Sequence, residues 1–246
     1  MDILSIIGLV AGIVAIIGGS MLKGSGIAAL INGAAFLIVV VGTFAAVLLQ
    51  VRMPVFMHAF NIVRWIFVNP VGSGEATLQQ VLNWSQVARK EGLLGLEDMA
   101  EQEPDDFVRK GLQLLVDGAE PETIRNIMEV EVSTREHVDQ QAAKVFESLG
   151  IYSPTLGIIG AVMGLMAVMQ NLSEPEKLGP GIAAAFVATI YGIALANLIF
   201  LPIGNKLKGI VASTVSQREL IVDGLVAIAR GDSPRNIESR LRGYLH

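Results

Sequence analysis

Four stretches of this chain carry no aspartate, glutamate, lysine, arginine or histidine, and each is long enough to cross a bilayer as a helix. Residues 3–20 supply 18 such positions and residues 27–49 supply 23, joined by a tight glycine-containing connection, residues 21–26. Residues 151–172 and 181–203 form a second pair across the polar turn Ser173-Glu-Pro-Glu-Lys-Leu-Gly-Pro180. Eighteen helical residues measure about 27 Å, close to the hydrocarbon thickness. A cleaved leader is a poorer reading of the first run, because Asp2 stands where a basic n-region belongs and a second span follows almost at once. The mean hydropathy of +0.56 points the same way.

Between the two pairs the material changes. Residues 50–150 hold nine basic and sixteen acidic side chains, with helical periodicity in place of continuous apolarity. Phe56, Phe60, Val63 and Phe67 recur at three- and four-residue intervals on one face. A turn-forming break, Asn69-Pro-Val-Gly-Ser-Gly74, precedes a helix expected to end near Gly92. Residues 93–102 suit a short third helix, and Pro104-Asp-Asp opens a fourth with acid at its N-terminus, where the helix dipole favours it. A long helix is expected from the proline of Gly118-Ala-Glu-Pro-Glu-Thr-Ile124 to Leu149. The spacing G-x-x-P-x-x-I returns at Gly231-Asp-Ser-Pro-Arg-Asn-Ile237, which reads as one helix-start chemistry used twice.

The expected fold is therefore an all-α integral membrane protein with four transmembrane helices. Its parts are a hairpin over 1–49, a helical cytoplasmic domain over 50–150, a second hairpin over 151–204 and a cytoplasmic tail over 205–246. Sixteen of the eighteen lysines and arginines lie in the central domain or the tail. Arg52, Arg64, Lys144, Lys206 and Lys208 flank the spans, which places domain, tail and both termini in the cytoplasm.

Several chemistries drop out. The chain has no cysteine, which removes disulfides, thiolate nucleophiles and Cys-ligated metals. His58, His137 and His246 form no ligand motif, Gly72-Ser-Gly74 lacks the lysine of a phosphate-binding loop, and a net charge of −5 gives no nucleic-acid signature. No catalytic site, metal or cofactor is expected.

Transport of a cation through lipid ordinarily uses an ionisable residue at depth, and the four spans have none. If an ion moves here, the titrating group belongs to another chain. Span three offers small residues Gly157, Gly160, Ala161, Gly164 and Ala167 at spacings that permit close helix approach; span four offers Ala184, Ala185, Ala188 and Gly192. These residues suit packing around a partner helix, and equally suit packing within the chain. Pro154 and Pro202 lie near the cytoplasmic ends of the two antiparallel spans, where each frees a backbone carbonyl and could act as a hinge. Thr189, near the middle of span four, either bonds back to its own helix or lines an ion path.

Pro154-Thr-Leu-Gly-Ile-Ile-Gly-Ala-Val-Met-Gly-Leu165 is similar to the third-span signature of the flagellar stator A-subunit family, MotA/PomA, and Ala188-Thr-Ile-Tyr-Gly192 with Leu201-Pro202 resembles that of the fourth. The chain resembles this family, and within it the MotC type, over essentially its whole length. Related ExbB and TolQ energisers have one span before the cytoplasmic part, where this chain has two. The resemblance implies a homopentamer in the bacterial inner membrane around a MotB-like B subunit. That subunit carries the ion-binding aspartate, and ion flow drives torque on the rotor protein FliG for motility. It also implies that Arg89 and Glu97, in Arg89-Lys-Glu-Gly-Leu-Leu-Gly-Leu-Glu97, touch the rotor. Pro154 and Pro202 match its functional prolines, Thr189 its ion-path threonine, and Ala161 stands where sodium-type members have a second threonine, which favours protons. Gly157, Gly160, Gly164 and Gly192 would pack the helices around the partner. An outer-membrane energiser of the ExbB/TolQ kind and a non-conducting scaffold are the alternatives.

Overall fold

The computed structural model describes residues 3–24, 26–68, 70 and 72–245; His246, Asp2, and Asn69 and Val71 of the turn-rich break lie outside them. Among the described residues every regular element is helical. In chain order these are α1 (Ile3–Leu22), α2 (Gly33–Gln50), α3 (Met53–Ile62), α4 (Gly74–Glu91), α5 (Glu97–Gln102), α6 (Asp106–Val116), α7 (Pro121–Gln170), α8 (Pro175–Ala229) and α9 (Pro234–Leu241). The chain divides into two units, Met1–Asn69 with Asp139–Gly209, and Pro70–Val138 with Ile210–His246.

Four of these helices are long and apolar enough to cross a membrane: α1, α2, α7 and α8. No residue of α1 is buried within the chain, although the helix is apolar throughout. A helix apolar on all sides and buried on none requires lipid or another chain around it. The second apolar run does not begin as one helix. Residues Ile27–Leu30 form a 3-10 turn, and Asn32 restarts the chain as an N-cap whose Oδ1 accepts from the Ala35 N–H at 2.9 Å.

The second pair of runs also differs from its expected outline. A helix was expected to end at Leu149 and a span to begin at Ile151; instead, α7 runs unbroken for 50 residues. Gly150 serves contact: a Cβ built there would lie 2.6 Å from the side chain of Leu201 on α8. In the same way α8 runs through the π-helical turn Leu195–Phe200 and continues past Ile203 to Ala229.

The expected aromatic face of α3 is used in the first unit. Phe60 lies 5.5 Å from Phe146 of α7 and 6.4 Å from Phe44 of α2, ring centre to ring centre, and Phe44 meets Phe200 of α8 edge-on at 6.1 Å. Ala59 and Ile62, on the same helix, are buried with Val47, Phe146 and Leu149. An amphipathic helix directly after a span thus lays its apolar stripe against helices of the same unit.

The second unit has its own core, with Trp84, Phe107, Leu112, Leu115, Ile124 and Leu225 fully or almost fully buried. The repeated G-x-x-P-x-x-I spacing does the same work twice. Gly118 (φ +69°) and Gly231 (φ +78°) close the preceding helices in the left-handed region, and Pro121 and Pro234 open the next ones. Ile124 and Ile237 then point into the core, at 0% and 1% exposure.

Candidate functional site

Small residues bring α7 and α8 together. A Cβ at Gly157 would lie 3.0 Å from the Ala188 carbonyl oxygen, at Gly160 2.7 Å from the Ala188 Cβ, at Gly164 3.0 Å from the Ala185 backbone nitrogen, and at Gly192 2.5 Å from the Ser153 carbonyl oxygen. A real Cβ would not fit at Gly160 or Gly192 without a shift and would be crowded at Gly157 and Gly164, so these four positions let the two helices approach closely. All four glycines therefore close α7 against α8 of the same chain.

The antiparallel register follows from these contacts. Gly164 meets Ala185, Gly157 meets Thr189 and Gly192, and Gly150 meets Leu201. Pro154 lies beside Gly192, with its Cα 3.1 Å from a Cβ built there, and Pro202 directly follows Leu201. The two prolines are thus within about two helical turns of each other along the pair. Each removes a backbone donor from the ladder. Around Pro154, Ser153 Oγ donates to the Leu149 carbonyl and Thr155 Oγ1 to that of Tyr152 at 2.7 Å. Pro202 follows directly on the π-helical turn Leu195–Phe200 with only Leu201 between them, and such turns absorb a shifted hydrogen-bond register.

Thr189 Oγ1 donates to the Ala185 carbonyl at 3.2 Å, one turn back on its own helix. Ala161 and Thr189 are both half-buried, on facing helices at neighbouring levels of the register. Exposed apolar side chains continue beside this seam: Ile158, Val162 and Met166 on α7, Phe186 and Ile193 on α8.

Arg89 and Glu97 lie in the second unit on either side of one short loop. Arg89 is in the last turn of α4 and Glu97 in the first turn of α5, each on the side that the helix dipole favours. Gly92 turns the chain at φ +82°, and Leu96, fully buried, anchors the loop into the core. Arg89, Lys90, Glu97 and Asp98 are all exposed, and none has an ion-pair partner among the described residues. The arrangement is a fixed presentation of unpaired charges of both signs.

A second polar cluster has no signal in the sequence, since it joins Asp223 to Arg125, 98 residues away. Asp223 on α8 accepts from Arg125 at 2.7 Å, from Tyr244 at 2.9 Å and from Arg240 at 3.3 Å. Burial alone would raise its carboxyl, but the hydrogen bonds from Arg125 and Tyr244, with the charges of both arginines, outweigh burial and hold it below the usual carboxylate value. The Tyr244 hydroxyl is pushed up to about 12, first by burial and then by its bond to Asp223. The cluster ties α7, α8 and the C-terminal segment into one unit. Among the described residues, no three His, Asp or Glu side chains come together as a metal would need.

Residues 99–220 match the model of the MotA/TolQ/ExbB proton channel family. Motility protein A of Bacillus subtilis (strain 168) is 37% identical over 249 residues, covering 100% of this chain and 91% of that protein. Among solved structures, that of C. jejuni MotAB superposes with a TM-score of 0.94 at 29% identity, over 100% of this chain and 96% of that one. The flagellar MotAB stator complex from Bacillus subtilis gives 0.90 at 38% identity, over 98% and 95%.

Proposed function

Because the chain belongs to the MotA/TolQ/ExbB proton channel family, we propose that it is the A-type subunit of a flagellar stator, which converts ion-motive force into torque on the rotor. The observation that carries this reading is the pairing of full-length similarity to motility proteins with four spans devoid of ionisable side chains. Such a bundle guides a cation only if another chain supplies the acid. A MotB-like B subunit with one buried aspartate is that chain, and a ring of five A subunits is the assembly that the resemblance implies. The similarity extends through α1 and α2, which favours the motor over an outer-membrane energiser.

The residues take their roles from this reading. Arg89 and Glu97 contact FliG; their exposure and lack of partners suit a contact that forms and breaks repeatedly, since exposed charge pairs are weak and salt-screened. Pro154 and Pro202 act as hinges within the packed pair. Ala161 and Thr189 face the ion path, and one hydroxyl in place of two favours protons over Na⁺. Gly157, Gly160, Gly164 and Gly192 hold the pair tight enough to move as one wall around the partner helix. The chain is multi-pass in the bacterial inner membrane, with residues 50–150, residues 205–246 and both termini in the cytoplasm, a reading that the basic residues flanking the spans support.

Proton flux into vesicles tests the proposal. Vesicles holding this chain together with its B subunit should conduct, and those holding this chain by itself should not. Steady conduction by this chain without a partner would overturn it.

A further inference from the structure

Within the first unit a groove of about 590 Å³ opens where α2 ends and α3 begins, against the stretch of α7 just before its apolar part. Arg52 and Lys144 reach it from opposite elements, with the amides of Gln50 and Gln141 and the hydroxyl of Ser148 beside them. Val51, Val55 and Val145 complete its lining, and no carboxylate contributes to it.

The two cations are uncompensated. Neither Arg52 nor Lys144 has an ion-pair partner among the described residues. Residues 50–74 contain no aspartate or glutamate at all. The carboxylates flanking Lys144 along α7 are both engaged: Asp139 with His58 at 2.6 Å, and Glu147 in an ion pair with Lys208. The groove therefore presents net positive charge with hydrogen-bond donors around it, which is the chemistry of a phosphate site.

Its level in the chain selects the source of that phosphate. Gln50 is the last residue of a span, and the preceding Leu49 is 92% exposed. On α7, Ile151 lies three residues beyond Ser148 on the side toward the membrane and is 63% exposed. Apolar surface on both walls thus continues directly from the cationic groove, so a ligand with a phosphate head and acyl tails matches both. Basic pockets between transmembrane helices at the headgroup level are suited to such lipids. We propose that this groove binds the headgroup of an anionic phospholipid, with Arg52 and Lys144 on the phosphate and the tails along Leu49 and Ile151.

The test uses the full-length chain with its B subunit, reconstituted in vesicles of equal phosphatidylglycerol and phosphatidylcholine and extracted for native mass spectrometry. The wild-type complex should retain phosphatidylglycerol preferentially, and the Arg52→Gln/Lys144→Gln variant should lose that preference by roughly tenfold. Arg52→Lys/Lys144→Arg, which keeps both charges, should retain most of it, as should Lys110→Gln in the other unit. Because the chain has no cysteine, Ser148→Cys adds a local probe, which phosphatidylglycerol vesicles should shield from a bulky maleimide more than phosphatidylcholine vesicles do. Unchanged preference in the neutralised variant would overturn the proposal. So would displacement of the lipid by millimolar inorganic phosphate, which assigns the groove to a free anion. Equal shielding of Ser148→Cys in both vesicles would assign it to another protein chain. Swimming is not the readout, so failure here leaves the stator reading standing.

Discussion

The hydroxyl of Tyr191 closes a break in the membrane helix that begins at Asn32: it donates to the Leu30 carbonyl and accepts from the Asn32 N–H at 3.4 Å. The chain leaves helical geometry at Ile31 and Asn32, so the Asn32 N–H and the Leu30 carbonyl find their partner in this hydroxyl and not one turn away along the backbone. In a membrane such groups must be satisfied from within the protein. Tyr191→Phe keeps the ring and removes both bonds. Its expected effect is a loss of about 1–2 kcal/mol, read as a lower melting temperature in detergent. An unchanged melt would show that the hydroxyl bridge contributes nothing.

The α7–α8 seam should be intolerant of a single methyl group where the backbones touch. Gly192→Ala would place Cβ 2.5 Å from the Ser153 carbonyl oxygen and 3.1 Å from the Pro154 Cα, both backbone atoms that cannot rotate aside. Overpacking of this kind costs about 1–3 kcal/mol, so the variant should melt earlier and accumulate less in the membrane. Gly8→Ala is the control, since nothing lies within 4 Å of a Cβ there. Equal behaviour of the two variants would contradict the packing described for the seam.

Thr43 offers a change in the other direction. It is fully buried in α2, and its hydroxyl has no hydrogen-bond partner among the described residues. An unsatisfied buried hydroxyl is destabilising, so Thr43→Val, with the same shape and no polar atom, should leave stability unchanged or raise it by about 1–2 kcal/mol. A clear loss of thermal stability would mean that the hydroxyl has work in the assembled protein.

The spans were legible because the absence of charge over 18 or more residues has one physical meaning, and the α3 face because its phenylalanines keep helical spacing. Both glycine–proline helix starts were legible for a similar reason: the signal is local. What stayed hidden is tertiary. The helix expected to end at Leu149 runs on through Gly150, which is a contact with Leu201, and only the facing helix reveals that. The small residues of the seam were visible, but their spacing serves an internal and an external partner equally well. Asp223 looks like any surface aspartate until Arg125 and Tyr244 are folded onto it.

That Asp223 cluster predicts a pH response of the second unit. The folded-state carboxyl lies below its unfolded value, so its stabilisation is complete above the ordinary aspartate range, near pH 4, and disappears as pH falls through the lower folded value. Tyr244, raised from 10.0 to about 12, works oppositely: its stabilisation is complete below pH 10 and fades as pH rises toward 12. Asp223→Asn should cost about 2 kcal/mol at neutral pH and flatten the acid limb of a stability–pH curve. An acid limb unchanged in the variant would place that response in other carboxylates.

Charge reversal separates the rotor-contact role of Arg89 and Glu97 from a structural one. Both side chains are exposed and unpaired, and the loop between them is held by Leu96 in the core, so Arg89→Glu or Glu97→Lys should leave folding within about 0.5 kcal/mol of wild type. On the stator reading each should nonetheless abolish or sharply slow rotation, because the rotor's complementary charges would meet a like charge. Tethered-cell rotation, with immunoblots of membrane fractions alongside, makes the measurement. Paralysis with normal membrane content supports the contact, and a compensating reversal on the rotor should restore turning. Normal swimming in both variants would place the rotor contact elsewhere on the chain, and paralysis through loss of protein from the membrane would give these two charges a role in assembly instead.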